Sequence, residues 1–103
     1  MESLKKEQIL RELTARSSEL SAFGVEQIGL FGSFVRDEAS LESDIDLLVD
    51  IKKELKTFRN FLALNYYLED IFKRKVELIT KQSLSPYIGP HILNTVEYAP
   101  IAG

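Results

Sequence analysis

The chain has 103 residues, 45% of them hydrophobic and 28% charged, and a formal charge of −3. That size suits one domain with one modest core, spanning 1–103, and the composition excludes a disordered or fibrous chain. There is no cysteine and only one histidine, His91, so disulfides, thiolate zinc sites, a cysteine nucleophile and an H-E-x-x-H metal site are all excluded.

Residues 4–22 carry Leu4, Ile9, Leu10, Leu13 and Leu20 at helical spacing, with charges between them, which predicts an amphipathic helix that Gly24 stops. Residues 25–31 predict a strand, broken by Gly32-Ser33, and residues 33–38 a short helix. Residues 44–51, Asp-Ile-Asp-Leu-Leu-Val-Asp-Ile, predict a second strand with Ile45, Leu47 and Val49 on one face. Residues 57–73 predict the longest helix. Thr57 is its candidate N-cap, Phe58, Phe61, Leu62, Leu68, Ile71 and Phe72 form its apolar stripe, and Lys73 and Arg74 suit its C-terminal dipole. One of Tyr66 and Tyr67 is expected in the core. Residues 75–80 predict a third strand, and residues 83–98 a helix interrupted by Pro86, Gly89 and Pro90. The alternation predicts an α/β fold, a three-stranded sheet covered by helices.

No window holds the roughly 20 apolar residues of a membrane span. The first residues mix acids with bases and lack an apolar core, unlike a secretory signal. A cytoplasmic protein without a membrane partner is the expectation. The acidic balance argues against direct nucleic-acid binding. That balance is uneven: residues 36–50 hold Asp37, Glu38, Glu42, Asp44, Asp46 and Asp50 against Arg36 alone, while residues 51–103 carry a net +3. Clustered carboxylates repel unless solvated, protonated or bound to a cation. With no thiolates, such a cation would be Mg²⁺, Mn²⁺ or Ca²⁺.

Asp44 and Asp46 stand two apart on a predicted strand, so their side chains share a face, with Cα atoms roughly 6.5–7 Å apart. Two carboxylates so placed can share one Mg²⁺ or bridge a pair of ions. A solvated strand end would carry the same pair. Gly32-Ser33 closes the strand before it. Glycine lets a phosphate approach the backbone, and amides opening a helix favour an anion, although ordinary turns also use Gly-Ser. The combined pattern Gly-Ser-x10-Asp-x-Asp is far more specific, with a chance frequency on the order of one in a thousand for a chain this long. An anion site facing a divalent-metal site is what a metal-bound nucleoside triphosphate requires. Glu77, on the third predicted strand between Val76 and Leu78, is the candidate third carboxylate. A charged residue in a short central strand needs a reason, whereas at an edge it would simply face solvent.

The stretch Ile28-Gly29-Leu30-Phe31-Gly32-Ser33-Phe34-Val35-Arg36-Asp37-Glu38 through Ser43-Asp44-Ile45-Asp46-Leu47-Leu48-Val49 resembles the minimal nucleotidyltransferase domain of the DNA polymerase beta superfamily. Within it, the chain looks most like the MNT antitoxins paired with HEPN-domain RNase toxins. The likeness extends to the tail around Pro86-Tyr87-Ile88 and Ile92-Leu93-Asn94. It implies a small mixed sheet of the polymerase beta-like type, with Gly32 and Ser33 holding the triphosphate of ATP. It also implies two Mg²⁺ ions held by Asp44 and Asp46, and Glu77 as third ligand or as base. Arg36, with Glu38, matches an Arg-x-Glu element and would pair with a carboxylate or phosphate. Ser43 would fix the Asp44 carboxylate by a hydrogen bond. The chain departs from the family pattern at Glu77, usually aspartate, and at Asp37 and Val35.

The implied reaction is transfer of AMP from ATP to a tyrosine hydroxyl of a partner HEPN toxin, which inactivates it. Steric masking of the toxin without catalysis, and nucleotidyl transfer to a small molecule of the aminoglycoside kind, are the alternatives. At 103 residues the second substrate is expected to be carried by a partner. Tyr87, Ile88, Ile92 and Tyr98 would either contact that partner or pack on the sheet. His91 reads as surface or helix end, and the cluster Lys52, Lys53, Lys56 and Arg59 as a solvated loop and helix start or, alternatively, a contact for phosphates or an acidic partner.

Overall fold

A computed structural model describes residues 4–101. Two helices open it, α1 (Lys6–Ala15) and α2 (Ser17–Ala22), in place of the single predicted helix. The break is at Arg16, whose backbone (φ −105°, ψ 23°) leaves the helical region while its side chain pairs with Glu12 at 2.6 Å. Gly24, at φ +86°, makes the turn into β1 (Val25–Phe31). A 3₁₀ turn over Gly32–Phe34 and an exposed loop lead to β2 (Ile45–Ile51). Helix α3 (Phe58–Phe72) then crosses back to β3 (Val76–Thr80), parallel to β2 as such a connection requires. Thr57 caps α3 as predicted, its hydroxyl accepting from the Asn60 amide at 3.1 Å.

A 3₁₀ turn (Lys81–Ser83) follows β3, and the segment predicted as one broken helix instead holds helix α4 (Gly89–Thr95) and most of a fourth strand, β4 (Glu97–Ala99). The sheet therefore has four strands in the order β3-β2-β1-β4, with β1 antiparallel to both of its neighbours. Gly29 is why the fourth strand fits: a side chain there would strike Val96 Cγ2 at 2.6 Å and Tyr98 Cδ1 at 2.9 Å. The order also corrects the position of β3, which is an edge strand and not a central one.

The main core fills one sheet face. Ile28, Leu30, Ile45, Leu47 and Val49 meet Ile9 and Leu13 of α1, Leu20 of α2, and Leu64 and Leu68 of α3. Of the predicted stripe of α3, Phe61, Leu68, Ile71 and Phe72 join the core and Leu64 is added to it, while Phe58 at its N-terminus is 78% exposed. Tyr67 packs against the core and Tyr66 is exposed. Tyr67 lies 5.2 Å from the Phe23 ring and donates to Glu19 at 2.7 Å. The second face is only partly covered. There Ile92 of α4 packs on Phe31 and Leu48, flanked by Ile79, Leu84 and Val96. The polar residues of β2, Asp46 and Asp50, are half-buried, one on either side of the fully buried Leu48. No helix among the described residues is long and apolar enough to cross a membrane.

Candidate nucleotide and metal site

The register of the sheet builds the site. Asp46 is the partner of Phe31 across β1 and of Glu77 across β3. The residue after Phe31 is Gly32, at φ +77°, a conformation that L side chains rarely adopt. A Cβ at position 32 would be driven into Asp46 Oδ2 and would sit 3.0 Å from Asp46 Cγ. Glycine is thus needed twice, for the backbone angle and for the carboxylate seated on it. The Gly32 carbonyl then collects the amides of Val35 at 3.1 Å and Arg36 at 3.2 Å. Ser33, half-buried, heads this turn, where the first amides have no partner within the turn itself.

The carboxylates are arranged unequally. Asp46 is half-buried within β2, and Asp44 lies one residue ahead of the strand, not on it as predicted. Glu77 is exposed on the edge strand. Burial pushes the Asp46 carboxyl up to about 6, with the Glu77 and Asp44 charges adding to the rise and Arg36 partly offsetting it. Among the described residues no three acidic or histidine side chains converge tightly enough to surround an ion. The donor chemistry nevertheless suits a hard divalent cation: oxygen ligands only, of like charge, partly withdrawn from water. A cation there would offset the burial and the repulsion that hold Asp46 toward its neutral form.

Of the two implied contacts, one is missing and one is made. The Ser43 hydroxyl accepts from the Ser40 amide at 2.8 Å and so organises its own loop, with no bond to Asp44. Arg36 Nε meets Glu38 Oε1 at 2.7 Å in an exposed ion pair, so the Arg-x-Glu element closes on itself. A cleft of about 470 Å³ lies behind the Gly32–Phe34 turn, lined by Lys5, Lys6, Glu7, Phe34, Val35 and Asp37. A more apolar groove of about 420 Å³ lies at Ile51 and Thr80, at the far end of the sheet from Asp46. Nothing in the sequence pattern announced either. Lys52, Lys53, Lys56, Arg59 and His91 are exposed, as expected.

Comparison with known proteins bears on this geometry. A protein adenylyltransferase MntA of Thermococcus cleftensis is 42% identical over 99 residues, covering 95% of this chain and 99% of that protein. The solved structure of a protein described as a minimal nucleotidyltransferase matches with a TM-score of 0.79 at 25% identity, covering 94% of this chain and 98% of that one. A structure of tri-AMPylated Shewanella oneidensis HEPN toxin in complex with MNT antitoxin shares the fold, with a TM-score of 0.57 at 16% identity over 85% of this chain and 71% of that one. The family model for the nucleotidyltransferase domain matches residues 6–101, and the chain belongs to this family.

Proposed function

We propose that this protein is an antitoxin of the adenylyltransferase kind, which transfers AMP from ATP to a tyrosine hydroxyl of a partner HEPN-type toxin in the cytoplasm and so neutralises it. The observation that carries the reading is the seat of the Asp46 carboxylate on Gly32, with Glu77 beside it on the next strand. It sets an acidic face directly against a turn suited to phosphate. The Thermococcus relative, named a protein adenylyltransferase, and the Shewanella complex, of an AMPylated HEPN toxin with an MNT antitoxin, support the reading.

In this reading Gly32 and Ser33 receive the triphosphate, where the missing Cβ and the turn's leading amides accept an anion. Mg²⁺, when bound by Asp44 and Asp46, supplies positive charge against the triphosphate. The acceptor hydroxyl attacks the α-phosphorus, the bond to the β-phosphate oxygen breaks, and pyrophosphate leaves. Glu77, exposed at the sheet edge, receives the hydroxyl proton, a role its exposure favours over that of an enclosed ligand. Beyond this the protein positions groups and excludes charge mismatch. The acceptor is met on the half-covered sheet face. There Tyr87 is 91% exposed and Ile88, Leu93 and Tyr98 are exposed around α4, while Ile92 is buried against the sheet.

The test is incubation with labelled ATP, Mg²⁺ and the partner toxin. Wild type should label the toxin, and an Asp44→Asn/Asp46→Asn variant should not. Equal labelling would refute the reading. Full neutralisation by the double variant would instead make the protein a masking antitoxin, a role that the exposed α4 surface would also serve.

A further inference from the structure

Arg74 follows α3 in the run Lys73-Arg74-Lys75, where a cation would ordinarily serve the helix C-terminus. Its side chain is used elsewhere. Nη1 donates to the Ser43 carbonyl at 3.0 Å and to the Ser40 carbonyl at 3.2 Å, and the guanidinium lies 5.4 Å over the Phe34 ring. Together the contacts reach two parts of the site, the loop before Asp44 and the Gly32–Phe34 turn. The Ser43 carbonyl belongs to the peptide unit that carries the Asp44 amide. Phe34, 3% exposed, ends the turn opened by Gly32 and Ser33. Arg74 itself stands three residues ahead of Glu77. The carbonyl of its neighbour Lys75 accepts from the Ile45 amide at 3.0 Å, next to the register that sets Asp46 beside Glu77.

The loop before Asp44 otherwise leans on itself. Ser40, Leu41 and Glu42 are exposed, and the Ser40 and Ser43 amides bond only to each other's oxygens. We propose that Arg74 is a positioning residue for nucleotidyl transfer, one that holds Asp44 in place relative to the Gly32-Ser33 turn and Asp46. The inference rests on the transferase reading and names the residue that aligns its parts. A planar guanidinium suits the task because it donates to two carbonyls while stacking on a ring. A lysine ammonium lacks the planar face that lies over Phe34.

The experiment compares wild type, Arg74→Ala, Arg74→Lys and, as a control remote from the site, Thr57→Ala. Three readouts are taken: AMP transfer to the partner toxin, Mn²⁺ affinity of the protein alone by paramagnetic resonance of the free ion, and the thermal midpoint. Removing an outer partner of a metal site typically costs about 10–100-fold in affinity or activity. Arg74→Ala should lose kcat on that scale with KM for the toxin held, and should bind Mn²⁺ correspondingly less tightly. Arg74→Lys should fall between it and wild type, and it remains informative if the alanine variant fails to fold. Thr57→Ala should lower the thermal midpoint and leave kcat and Mn²⁺ affinity unchanged. The proposal is overturned if Arg74→Lys matches wild type in both kcat and Mn²⁺ affinity, or if Thr57→Ala loses them in proportion to its stability. A wild type that transfers no AMP would sink the transferase reading, while the Mn²⁺ arm would still judge Arg74.

Discussion

The Gly32→Ala substitution separates two costs that the structure places at one position. The backbone at φ +77° imposes the first: a left-handed conformation costs an L residue about 1–2 kcal/mol whatever surrounds it. The second is contact. The new methyl would be driven into Asp46 Oδ2 and would lie 3.0 Å from Cγ and 3.2 Å from Cβ of the same side chain. Overpacking of this kind costs about 1–3 kcal/mol, and the half-buried carboxylate can relieve it only by swinging off the turn. Asp46→Ala removes the carboxylate and leaves the backbone strain untouched. Gly32→Ala should therefore cost less in the Asp46→Ala background than in wild type, with a coupling of about 1–3 kcal/mol. Urea unfolding of the four proteins measures it. If the cost of Gly32→Ala is the same in both backgrounds to within about 0.5 kcal/mol, the carboxylate does not sit on the glycine and the geometry of the site is wrong.

Three further outcomes are expected. The Asp46 carboxyl is raised to about 6 in the folded protein, so the stability it contributes is fully present at pH values below its unfolded pKa and is lost as pH rises through 6. In the absence of divalent ions the protein should unfold more easily at pH 7.5 than at pH 5, by about 1 kcal/mol after allowance for solvent screening, and Asp46→Asn should abolish that difference. Thr57→Ala should cost about 1 kcal/mol in thermal unfolding, because the Asn60 amide loses its only side-chain cap. Replacing Tyr87 and Ile88 together by serine should leave stability within about 0.5 kcal/mol, as expected for exposed positions, while weakening capture of the partner toxin in calorimetry; unchanged affinity would place the acceptor contact elsewhere.

Much of the fold was legible because its signals are local. The alternation Ile45, Leu47, Val49 and the capped helix starting at Thr57 depend on spacing and hydrogen bonding within a few residues. The fourth strand was not legible. Glu97–Ala99 is three residues long and follows Pro86, Gly89 and Pro90, and it pairs only because Gly29, sixty-odd residues earlier, leaves room above β1. The same holds for Arg74, read as a helix-end cation from its neighbours but bonded to carbonyls more than thirty residues away.

For the site, the sequence by itself determined which groups are present: Gly32-Ser33 after a strand, Asp44 and Asp46 at the start of the next, and no thiolate or histidine cluster to compete. Chemistry follows from composition and short spacing, and both are written in the chain. Tertiary structure decided how those groups bear on one another. Pairing β2 in parallel with β3 puts Glu77 next to Asp46 but at an exposed edge, and pairing it with β1 seats the Asp46 carboxylate on Gly32. Those relations are set by strand order and register, which come from burying one sheet face under α1 and α3 and leaving the other half open. No local spacing encodes them, because they depend on which distant segments the core brings side by side.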